Sequence, residues 1–96
     1  MFHHVVMVAF KVALDPADHA YLVRACEEIE RELPGVIRLR FVTNLADRAG
    51  PYTHAFVGDF VDAAAHDHYQ AAPLHGPLKA RVNALCEALL VLDCND

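Results

Sequence analysis

Val5-Val6-Met7-Val8-Ala9-Phe10 is the stretch on which the fold turns. It is rich in β-branched and aromatic residues and too short for a helix that stands alone, so it predicts a strand over residues 3–12. Its second property is a failure to alternate. Val5, Met7 and Ala9 are as apolar as Val6, Val8 and Phe10. A sheet with helices on one face and water on the other reads apolar and polar in turn. Both sides of this strand therefore call for cover.

Outward from that strand, Asp15-Pro16-Ala17-Asp18 predicts a helix start, with Asp15 as N-cap, Pro16 in the first helical position and Asp18 near the positive end of the dipole. Leu22, Cys26, Ile29 and Leu33 make the apolar stripe of that helix, while Arg24, Glu27, Glu28 and Arg31 face water. Pro34-Gly35 stops it. A second strand is expected over residues 36–44, with Ile37, Leu39 and Phe41 alternating against Arg38 and Arg40. Residues 47–51 are rich in turn formers. A third strand over residues 52–60 sets His54, Phe56, Gly58 and Phe60 on one face and Thr53, Ala55, Val57 and Asp59 on the other. A short helix over residues 62–71 breaks at Pro73. Gly76-Pro77 opens a last helix with the stripe Leu78, Val82, Leu85 and Leu89, and residues 90–94 close the chain as a strand.

The order is β-α-β-β-α-β. This is an α+β, ferredoxin-like plan for a single domain over residues 1–96, an antiparallel sheet with helices on one face. The closing strand fails to alternate like the first, and the third is apolar on both faces at Ala55-Phe56-Val57. An uncovered apolar face of several hundred Å² is a liability in water. A second copy related by two-fold symmetry is the simplest cover, so a homodimer through the sheet faces is expected.

A chain of 96 residues buries roughly 60–65% of its unfolded surface, enough for one core. Apolar residues at 55% and charged residues at 22% exclude intrinsic disorder. Thirteen acids against eight bases leave a net charge of −5, which makes nucleic acid a poor partner. No apolar run is long enough to span a bilayer. Met1-Phe2-His3-His4 puts no basic segment ahead of an apolar one, so no secretory signal and a cytoplasmic location are expected. Cys26, Cys86 and Cys94 form an odd set with no CxxC spacing, which suits reduced thiols.

Histidine is the compositional outlier, with seven in the chain beside no tryptophan. His3 and His4 are adjacent on a strand and point to opposite faces. His19, His66 and His68 are expected on solvated helix surface, the usual place for histidine. His4 and His54 share apolar strand faces with Phe10 and with Phe56, on strands that this plan makes neighbours. Two readings stay open for them: core histidines with backbone or hydroxyl partners, or walls of one cavity under the helices. His75 sits between two helices, six residues beyond Tyr69 with a proline break between. A neutral imidazole beside a phenol in an apolar cleft makes a general base with a hydrogen-bond donor, although a loop histidine is more often solvated. Nucleotide, P-loop, serine-hydrolase and zinc-protease motifs are absent. No carboxylate stands at a ligand-like spacing to the histidines, so no metal is expected.

The segments His4-Val5-Val6-Met7-Val8-Ala9-Phe10-Lys11, Leu33-Pro34-Gly35-Val36, Tyr52-Thr53-His54 and Tyr69-Gln70-Ala71-Ala72-Pro73-Leu74-His75 resemble, in that order, the stress-responsive dimeric α/β-barrel (Dabb) family. The resemblance covers essentially the whole chain, and the closing apolar strand ending in Asp93 is in keeping with it. It implies a ferredoxin-like fold whose two sheets pack face to face as a dimeric α/β barrel. It also implies a chemistry, because one member is a plant polyketide cyclase that closes a linear chain by aldol condensation without a cofactor. By that resemblance His75 stands at the catalytic base, Tyr69 at the residue that assists it, and His4 and His54 at the pocket histidines, with Phe10 and Phe56 beside them. The family's His-Pro-x-His motif reads Ala72-Pro73-Leu74-His75 here, so one polar group is missing. Many members have no known activity, which keeps a non-catalytic binding or assembly dimer as the alternative. A cofactor-free monooxygenase ranks third, since tryptophan is common at the oxidation site of such barrels and this chain has none.

Overall fold

The computed structural model describes residues 1–96. Strand β1 (Phe2–Phe10) holds the non-alternating run and is paired on both sides. Helix α1 (Pro16–Glu32) follows, then β2 (Val36–Thr43), β3 (His54–Phe60), α2 (Ala63–Ala71), α3 (His75–Leu85) and β4 (Cys86–Asn95). The sheet order is β2-β3-β1-β4 with every pair antiparallel. The fold is thus ferredoxin-like α+β as the order of elements implied, its second crossover made of two helices. Strands β1 and β3 are the central pair, with Val6 opposite Phe56 and His4 opposite Gly58.

Local chemistry explains the element ends. The Asp15 carboxylate accepts from the Asp18 N–H at 2.8 Å, capping α1 with Pro16 in its first turn, and Asp62 caps α2 the same way. Gly35 takes φ +83°, and a Cβ there would stand 2.5 Å from Ala65 Cβ, so the turn after α1 excludes any side chain. Leu22, Cys26 and Ile29 of α1 and Leu78 and Val82 of α3 are buried against Val8, Leu39, Phe56 and Phe60 of the sheet. Each fully buried side chain of this size stabilises the fold by about 1.5–3 kcal/mol relative to exposure.

Two expectations on the strands are corrected. Ile37 is exposed, because the register shifts between Val36 and Arg38 and puts Val36 and Leu39 inside. The last helix ends at Leu85, and β4 begins at Cys86, four residues before the expected start. Glu87-Ala88-Leu89 favours helix locally, but pairing with the whole length of β1 overrides that preference. Leu89 therefore belongs to the strand.

The two faces of the sheet end up unlike. Phe2, His4, Val6, Val8 and Phe10 face the helices by alternation along β1. On the opposite face no element covers Val42, Leu90 and Leu92, which are exposed, beside half-buried Val5, Met7 and Val57. The helices also stop short of β4, so Leu89 and Val91 remain exposed even on the helix side. No helix is long and apolar enough to cross a membrane.

Candidate functional site

A cavity of about 230 Å³ opens between the sheet and helices α2 and α3, and His4, Val6, Phe56, Tyr69, His75 and Lys79 are among its walls. His4, Val6 and Phe56 enter it because they occupy helix-facing registers of the central strands. Tyr69 and His75 enter it because of the break at Pro73. The Ala72 N–H donates to the Tyr69 carbonyl at 3.2 Å and the His75 N–H to the Ala72 carbonyl at 3.0 Å. That tight reversal brings the Tyr69 and His75 rings to 4.3 Å between centroids. His75 is the first residue of α3 and buried, where the sequence suggested a loop.

The electrostatics set the protonation state of each of that pair. Burial, foremost, holds the His75 imidazole below the ordinary histidine value, with Lys79 adding to the effect. His75 is thus neutral at pH 7. Its Nδ1–H donates to the Gln70 carbonyl at 3.4 Å, a long bond that leaves Nε2 with the lone pair. Burial raises the Tyr69 phenol above its ordinary range, so it stays protonated and can donate a hydrogen bond. No buried side-chain polar atom lacks a partner. The Tyr69 hydroxyl makes no hydrogen bond to protein, so it opens on the cavity. Neighbouring Cys26 is inert, its thiol pushed up to about 12 by burial.

The structure brings four of the six expected site residues to this cavity: His4, Phe56, Tyr69 and His75. His54 and Phe10 are absent from its walls. They lie toward the other end of the sheet, where His54 stacks on Phe41 at 5.1 Å with Phe10 at 5.5 Å and His19 at 5.9 Å. His19 is accordingly half-buried and His68 exposed.

Two residues were not anticipated. His66, expected in solvent, is 8% exposed and packs on the rings of Phe2 and His4, each at 4.5 Å. Asp93 lies opposite His4 across the β1/β4 pair and accepts from its Nδ1–H at 2.5 Å. A carboxylate does stand at the histidines, hidden by 89 residues of separation. The position of His66 three residues before buried Tyr69 on α2 was the available signal for the first. For the second it was the antiparallel register, in which Val6 opposite Val91 puts Asp93 beside His4.

The family described as the stress responsive A/B barrel domain (Dabb) matches residues 2–96. No curated protein matches the chain. Among solved structures, a protein of Arabidopsis thaliana superposes with a TM-score of 0.86 at 19% identity, covering 100% of this chain and 95% of its own. A dimeric ferredoxin-like protein of unknown function from a Jannaschia species gives 0.85 at 24% identity, covering 99% and 98%. A hydroxynitrile lyase from Passiflora edulis gives 0.83 at 21% identity, covering 97% and 90%. At these identities the likeness is one of fold.

Proposed function

The chain belongs to the stress responsive A/B barrel (Dabb) family, and from that premise we propose that its cavity binds a small keto or phenolic compound and converts it without a cofactor. The carrying observation is the neutral His75 imidazole beside the protonated Tyr69 phenol in a cavity of about 230 Å³. That volume is below the ~300–1,000 Å³ of drug-sized sites, which argues for a small substrate. His75 Nε2 takes a proton from a carbon between two carbonyls, and the Tyr69 O–H donates to the oxygen that gains charge. The enolate carbon then attacks a second carbonyl held by the apolar walls, and the imidazolium returns its proton to the new alkoxide. No oxidation state changes in this aldol-type closure, so acid–base groups suffice. His4 and Phe56 shape the substrate's path. With the first histidine of the family motif replaced by Ala72, the polar groups left in the walls beside His75 and Tyr69 are His4, Gln70, Lys79 and Asn83. A lyase among the solved structures of this fold supports the view that the scaffold can hold small-molecule chemistry.

The working form is a homodimer in this reading. The exposed Val42, Leu90 and Leu92 on the open sheet face support it, as does the dimeric description of several structural neighbours.

Thermal melting in a concentration series of β-diketones and phenolic ketones tests the proposal, followed by turnover assays on those that bind. Melting should rise with concentration. The His75→Ala variant should lose turnover while keeping its melting temperature and dimer mass. Absence of stabilisation by every compound in the series would overturn the binding site and leave an assembly dimer. Stabilisation without turnover would leave a binding protein.

A further inference from the structure

We propose that His4, His66 and Asp93 form a binding site for a divalent transition-metal ion of the zinc class, set in the wall that His4 shares with the cavity. One donor atom from each of the three residues lies within 4.8 Å of the other two. The two imidazoles are buried, at 6% and 8% exposure, and Asp93 is half-exposed, which gives an ion a route in. Their rings are 4.5 Å apart and inclined at 50°, so two in-plane lone pairs can be aimed at one point.

The donor set selects the ion. Magnesium and calcium take oxygen ligands, whereas two imidazoles with one carboxylate suit zinc and its transition-metal neighbours. Bond lengths of about 2.0–2.2 Å place tetrahedral ligands about 3.3–3.6 Å apart. Reaching that from the observed spacing takes side-chain shifts of order 1 Å, and the exposed Asp93 carboxylate is free to swing. The Gln70 side-chain amide stands 3.1 Å from His66 Nε2 and helps to fix the ring. Three protein ligands leave a fourth position for water or a bound compound. Metal binding here requires no compound in the cavity, although His4 belongs to both. A competitor on the surface is His3, which bonds the Asp59 and Asp96 carboxylates at 2.7 and 2.8 Å on the other face of the sheet.

The test is titration of the full chain, freed of metal, with Zn²⁺ by calorimetry and with Co²⁺ by visible absorption. One ion per chain at micromolar affinity or better is expected, with the intense visible bands of four- or five-coordinate Co²⁺. Imidazole NMR of the Zn²⁺ form should shift the His4 and His66 resonances and spare those of His54. Asp93→Asn, close to isosteric, should weaken binding at least tenfold, as should His66→Leu, while His3→Gln should not. Binding no tighter than millimolar, or zinc shifts confined to His3, would overturn the site. Equal affinity in the Asp93→Asn variant would do the same. The NMR measurement needs no variant and decides the matter even if His66→Leu fails to fold.

Discussion

The two ends of the helix-covered sheet face are built from the same materials and differ in what surrounds them. At one end His4, His66, Tyr69 and His75 stand among Phe2 and Phe60. At the other, His19 and His54 stand among Phe10 and Phe41. Both ends bury histidine in aromatic surroundings, and in both burial is the main cause that lowers an imidazole's proton affinity. The first end, however, borders a cavity and a carboxylate. At the second, His54 lies flat on Phe41 with an interplanar angle of 4° and turns its Nδ1 to the Thr53 hydroxyl at 2.8 Å. Residue type and burial are common to both ends, so neither makes a site. What sets the first end apart is open volume beside a group with a free lone pair.

The comparison is sharpest in turnover. His75→Ala should cost on the order of 10²–10⁴-fold, the usual contribution of a general base. His54→Ala should cost less than tenfold in the same assay. Equal losses would erase the distinction between the ends.

Stability should divide the ends next. Phe60 has no exposed surface, and Phe60→Ala should destabilise by about 3–5 kcal/mol in denaturant unfolding. Phe10 is half-buried, and Phe10→Ala should cost about half as much. A smaller change tests the tight packing beneath His4. A Cβ at Gly58 would meet the Phe60 ring at 2.9 Å and Leu39 at 3.3 Å. Gly58→Ala should therefore cost about 1–3 kcal/mol by overpacking. Melting unchanged by this variant would show a looser floor than the structure has.

The smallest effect is in pH. Burial holds His54 below its ordinary value of 6.5, and His19 adds to the effect. The unfolded chain therefore takes up this proton first as the medium is acidified. The stability that the neutral ring contributes is complete above pH 6.5 and is lost as pH falls through the lowered value. His75 acts in the same direction. His3, raised by Asp59 and Asp96, opposes it, its contribution fading as pH rises. His54→Phe, which keeps the stack on Phe41, should flatten the acid side of the melting-temperature profile. An unchanged profile would mean that His54 is as free to ionise in the folded chain as in the unfolded one.

Much of the architecture was legible in the residues. Asp15-Pro16 marked the start of α1, Pro34-Gly35 its end, and the Leu22, Cys26, Ile29 stripe its buried side. Those signals are local: a cap, a ring that blocks a hydrogen bond, a period of 3.6. Phe56 and Phe60 went to the helix side because alternation along a strand is equally local. Ile37 misled for the same reason, since a bulge moves the alternation by one residue and leaves no mark in composition. Leu89 misled because propensity could not weigh the pairing offered by β1.

The sequence by itself determined the order of elements, the apolar excess on both sides of the sheet and the proline break between Tyr69 and His75, while the meeting of those two rings came from the fold. Only the tertiary structure decided which histidines come together. It parted His54 from His4, though both lie on the same face of the central pair. It also drew in His66 from a helix that had looked solvated, and Asp93 from the far end of the chain. The reason is geometric. Periodicity tells which side of its own element a residue takes, whereas meeting another residue depends on strand register and on where a helix comes to rest. Those follow from the packing of the whole chain.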